Sequence, residues 1–179
     1  MWWRLPCSFS APVKEISSMK SWLAVVLVCV SASTVHAEVG PPTDLAAHSR
    51  GAGKVVVARI TSVHSAFATN RFGDQLIVSN AVLEVLETLK GAPQAVTTVT
   101  VEGGTVGDLT LKVSDMQVLK EGERAVFFLD ADGSGQVPHG RGRGILKLDD
   151  ADNVKGSTIT LKQVKDAVRG ASADRKDGR

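Results

Sequence analysis

Tyrosine is absent from this chain, and both cysteines (Cys7, Cys29) and all three tryptophans (Trp2, Trp3, Trp22) lie near its start. Beyond Ala37 the only aromatic rings besides histidine are Phe67, Phe72, Phe127 and Phe128. Sugar sites and single-stranded nucleic-acid platforms stack their ligands on exposed aromatic faces, so a chain this poor in rings suits neither. The same stretch holds no thiol nucleophile, thiolate zinc site or redox pair, because it holds no cysteine. Charge of one sign is lacking too: 22 % of the 179 residues are charged and the formal net charge is +2. That balance is too ordinary for an acidic or basic disordered chain. A mean hydropathy of +0.05 argues against several membrane spans.

The first apolar run reads as an address. Met19 and Lys20 precede Trp22 to Val30, and the small, polar stretch Ser31 to Ala37 follows. A basic start, a short apolar segment and a small residue at the end make a secretory signal peptide. Val35 and Ala37 occupy the positions three and one before the cut, which places cleavage between Ala37 and Glu38. The run is well short of the roughly 20 apolar residues a bilayer span needs. Residues 1–18 then read as an upstream extension in front of a true start at Met19. Without residues 1–37 the chain has equal numbers of basic and acidic residues and no disulfide. It is long enough for one domain, held by an apolar core.

In the exported part, Thr43 is the expected cap of a short helix over Asp44 to Arg50, stopped by Gly51 and Gly53. Lys54 to Val63 (KVVVARITSV) is rich in β-branched residues and predicts a buried strand. Ser65 to Asp74 reads as a polar connection. Gln75 to Leu86 predicts a second strand, although Ala81 to Lys90 could also pass for a helix. Further strands are predicted at Val96 to Val101, Leu109 to Val113, Arg124 to Leu129 and Gly144 to Leu148, with Thr158-Ile159 as a short addition. Asp130 to Gly135 reads as a loop. Thr160-x-x-Gln163 has the form of a capping box and opens a helix with Leu161, Val164 and Val168 on one face, ending at Gly170. Residues 171–179 read as a disordered tail. Six or seven short strands with terminal helices predict a small, mainly β barrel, which removes the exposed edges such strands would otherwise offer.

The stretches VVVARITSV, VLEVLETLKG, VTVEGGTVG, EGERAVFFLD and GRGRGILKL carry a resemblance over roughly residues 44–169. Its most specific pieces are Leu89-Lys90-Gly91, Gly103-Gly104 and Gly122-Glu123 ahead of Val126 to Leu129. Together they resemble uncharacterised exported bacterial proteins with an OB-like barrel, distantly similar to the inhibitory domain of metalloproteinase inhibitors. The resemblance implies an OB-like fold and an exported protein, such as a protease, as partner. Those inhibitors engage the protease zinc with a cysteine at the mature N-terminus. Glu38 stands there in this chain, so that mechanism does not carry over.

Three local patterns have chemistry in them. Asp130, Asp132 and Ser134 in DADGSG put oxygen ligands at alternate positions before a glycine, like the start of a calcium loop. The twelfth position should be a bidentate glutamate and is Arg141, and the same residues make an ordinary tight loop. Arg141 and Arg143 in GRGRG could hold a phosphate or acidic group through two guanidiniums, or be the solvated arginines of a glycine-rich turn. His48, His64 and His139 lack the spacing of a helical metal motif, and no serine sits in a nucleophile elbow. A cluster of His64, His139 and aspartates, gathered by folding, would make a metal-dependent or hydrolytic enzyme. The reading these residues favour is an exported, non-enzymatic binding or structural β-barrel. It predicts no catalytic residues, no cofactor beyond weak calcium binding, no nucleic-acid partner and no membrane span after cleavage.

Overall fold

The computed structural model describes residues 44–69, 73–133 and 135–177; the cleavage site Ala37/Glu38 lies outside them. The chain is mainly β. Helix α1 (Leu45–Gly51) leads into β1 (Lys54–Thr69), β2 (Gln75–Lys90), β3 (Val96–Glu102), β4 (Gly104–Val106), β5 (Leu109–Leu111), β6 (Arg124–Asp132), β7 (Gly135–Pro138) and β8 (Ile145–Lys147). A 3-10 turn at Arg141–Gly144 separates β7 from β8, and helix α2 (Leu161–Asp177) follows.

Five strands run in the order β1-β2-β3-β7-β6, and β6 pairs again with β1. This ring is a five-stranded OB-like barrel. All its pairings are antiparallel except β3 with β7, which meet in parallel at one register position, Val99 opposite Gln136. That seam leaves the barrel only just closed. The β1–β2 ladder slips register at Val55/Val56, Val57/Ala58 and Ile60/Ser62, and such bulges sharpen the bend a small barrel requires.

Two apolar layers explain why VVVA in β1 and AVFFL in β6 are unbroken rather than alternating. Val56, Ala58, Ile60, Phe127 and Leu129 point into the barrel with Leu83, Val99 and Ile145. Val55, Val57, Val126 and Phe128 point outward, beneath Leu161, Val164 and Val168 of α2. A strand covered on both faces has no use for polar alternation. The three apolar residues predicted for one face of α2 therefore pack on the barrel. The capping box also forms: Gln163 Oε1 accepts from Thr160 N at 2.8 Å, and Thr160 Oγ1 from Gln163 N at 3.3 Å.

Several boundaries differ from the sequence expectation. Ser65–Thr69 belongs to β1 and is not a connection, because Ala66, Phe67 and Ala68 pair with Val78, Ile77 and Leu76. Asp130 to Asp132 continue β6 and Gly135 opens an extra strand, so the expected loop is a hairpin. Its alternation was hidden by aspartate and glycine. Asp44 caps α1, its Oδ1 accepting from Ala47 N at 2.8 Å, while Thr43 lies outside the described residues. Helix α2 continues beyond Gly170 to Asp177. Eight strands form where six or seven were expected, β7 and the short β4 being those without a readable pattern.

Candidate functional site

The first region that gathers chemical groups lies where α1 meets the end of β6. Asp130 is half-exposed there and both its oxygens are engaged: Oδ1 accepts from Gly53 N at 2.9 Å, and Oδ2 lies 2.6 Å from His139 Nδ1. Burial works to raise the Asp130 pKa, but the hydrogen bonds from His139 and Gly53 outweigh it and hold the carboxyl below the usual aspartate range. Being ionised, Asp130 only accepts, so His139 donates from Nδ1. The His48 ring, projecting from α1, lies 4.8 Å from that of His139 and 4.9 Å from the Phe128 ring, centre to centre. His48 Nε2 is buried with no hydrogen-bond partner. Burial first, and then the charges of His139 and Arg143, push the His48 pKa below the ordinary histidine value.

Folding thus brings His139 to Asp130 and adds His48. His64 is not part of the cluster. It is exposed on β1 opposite Asn80, eleven residues beyond Gly53, or roughly 30 Å along an extended strand. The Asp130–His139 pair has the form of an oriented base, yet among the described residues no serine hydroxyl is hydrogen-bonded to it. Nor do three His, Cys, Asp or Glu side chains among them converge to hold a metal ion. The candidate calcium ligands Asp130 and Asp132 both stand on β6, paired with Val137 and Gly135 of β7, and Ser134 lies outside the described residues.

The two arginines of GRGRG part company. Arg141 is bound to Asp115 and, through Nη2 at 2.8 Å, to Glu102. Hydrogen bonds donated to those two carboxylates hold its guanidinium still more firmly protonated and leave little of it for an outside anion. The arginine's hydrogen bond in turn lowers the Asp115 pKa. Arg143 is exposed and near enough to act on His48. The glycines of the motif are explained by contact: a Cβ on Gly142 would run into the Asp115 carbonyl oxygen, and one on Gly144 into that of His139. Glu102 and Asp115 were not legible as partners, because nothing local marks a pairing across 39 and 26 residues.

The second region is the distal half of β1 and β2. Strand β6 pairs with β1 only from Lys54 to Arg59, so Ser62–Thr69 runs on past the β6 contact as an arm, paired with Gln75–Val82 of β2, of which Val78–Val82 is also paired with β3. The β4–β5 hairpin packs against it through a tight seam: Ser79 Oγ donates to the Gly103 carbonyl at 2.7 Å and lies 2.9 Å from Ser65 Oγ. Gly104 sits there at φ 140°, a left-handed conformation, with no room for a Cβ between the two serines. Phe127 and Phe128 are fully buried, whereas Phe67 on the arm is 50 % exposed and Leu109 on the hairpin 61 %.

No protein-family model matches this chain, and no curated protein is significantly similar to it. No helix among the described residues is long and apolar enough to cross a membrane.

Proposed function

We propose that the chain is exported, loses residues 1–37 and acts as a non-enzymatic binding module whose contact surface is the β1–β2 arm, with another exported protein, such as a protease, as partner. The observation that supports this most is Phe67. Among the described residues it is the only phenyl ring at the surface, and it stands opposite Ile77, just beyond the stretch of β2 paired with β3, rather than in the core. Aromatic side chains are over-represented among the residues that carry binding energy, and an arm reaching past its barrel can present one to a partner's groove. The OB-like fold is compatible with a binding role but does not by itself assign one.

The test combines N-terminal sequencing of the native exported protein with a photo-cross-linking residue placed at position 67 and, as control, at Arg59. The expected results are a start at Glu38 and one exported partner captured from position 67 alone. That partner should then bind the purified barrel at least about tenfold more weakly after Phe67→Ser, a loss in the range of a buried aromatic anchor. Capture of the same species from Arg59, or of the chain's own copies only, would refute the reading and favour a structural role in the cell envelope.

A further inference from the structure

We propose that His48, packed beside His139, is an acid-operated latch: uncharged, it lets α1 lie against the barrel, and its protonation drives α1 away. The argument starts from how little holds this helix. It has seven residues, too few to persist in water without packing. It rests on α2 and on the end of β6, where His48 meets Phe128 edge to face. Its last turn is tied down by Lys90 Nζ from β2, which donates to the carbonyls of Ser49 at 2.6 Å and Ala52 at 2.5 Å.

The groups facing His48 are unequal in sign. His139 follows β7, Arg143 belongs to the 3-10 turn, and Asp130 on β6 is the one acid, while Lys90 of β2 is bound to the Ser49, Arg50 and Ala52 carbonyls. On α2, Lys165 and Arg169 are turned to Glu87, and Lys162 to Asp166. Asp130, already engaged by His139 and Gly53, and the His139 backbone, hydrogen-bonded to the His48 ring, favour a charged His48 but are outweighed by burial and by the charges of His139 and Arg143. A proton added to His48 would sit near the Arg143 guanidinium, with the buried Nε2 lacking an acceptor. Gly140 closes the other side: at φ 66°, it brings its backbone against the His48 ring, where a Cβ would not fit. The ring therefore has no room to swing towards a new partner, and the charge is relieved by lifting α1. That movement uncovers the apolar layer around Phe128, against which Leu45 of the helix is packed.

Hydrogen exchange of the folded chain at about pH 7.5 and about pH 5.5, corrected for the intrinsic pH dependence of exchange, tests this across the histidine range. The amides of His48 and Ala52, which bond to Asp44 O and His48 O, report on the helix. They should lose protection several-fold at the lower pH while Val56 and Phe127 in the barrel keep theirs. His48→Gln should abolish the change. Arg143→Gln alters an exposed side chain that threatens folding little, and it should make the loss smaller by removing one of the repelling charges. Unchanged protection of α1 in the parent protein, or an equal acid loss in both variants, would overturn the proposal.

Discussion

Asp130 shows how one residue can carry a motif's chemistry to an unexpected place. In the sequence it opens a run resembling a calcium loop, yet in the fold its two oxygens join the start of β1 to the residue after β7. Asp130→Asn keeps the size and loses the charge that both donors use. Hydrogen bonds to charged groups contribute about 1.5–3 kcal/mol, and with the carboxylate 39 % exposed a cost of about 1 kcal/mol at neutral pH is expected. The sign follows from the lowered pKa. An aspartate held below its ordinary value of 3.8 stabilises the fold above that pH, and the contribution disappears as the pH falls through the folded-state value. Denaturant melts should therefore show parent and variant apart at pH 7 and converging below about pH 3.8. A constant gap would mean that packing, not charge, is what the substitution removes.

At the scale of elements, local patterns identified whatever was covered on its full length and missed what served a tertiary purpose. The β-branched run of β1 and the FFL of β6 announce buried strands, and the capping box announces the start of α2 but not its end, which lies at Asp177 instead of Gly170. β7 is only four residues, Gly135–Pro138, and its single parallel pair with β3 closes the ring without leaving a signature. The Asp130–His139–His48 cluster was half legible. A cluster of His139 with aspartates is legible and forms at Asp130, but the sequence also points to His64, which lies far along β1, because sequence gives no measure of where a curled strand ends. Glycines divide in the same way. Gly142 sits against the Asp115 carbonyl oxygen, and its amide donates to that oxygen at 3.0 Å. Gly170 is exposed within α2 with nothing near its missing Cβ. Gly142→Ala should cost about 1–3 kcal/mol by forcing the backbones apart, whereas Gly170→Ala should stabilise by about 0.5–1 kcal/mol through helix propensity. Equilibrium unfolding of the two variants checks both signs.

At the scale of the whole molecule, the described residues form a barrel with two unlike appendages. Helix α2 covers one outer face and completes the second apolar layer, so that face is closed to partners. The arm and the β4–β5 hairpin leave Phe67 and Leu109 at the surface. Under the proposed function, recognition falls to the surface that presents Phe67 on the outer part of the β1–β2 ladder. The most direct measurement is the hydrogen-exchange footprint of the barrel bound to the partner captured through position 67. The account predicts slowed exchange in Ser62–Thr69, Gln75–Val82 and the β4–β5 hairpin, with α2 unchanged. Slowing centred on α2 or the Asp130–His139 cluster, with the arm exchanging as in the free protein, would contradict it.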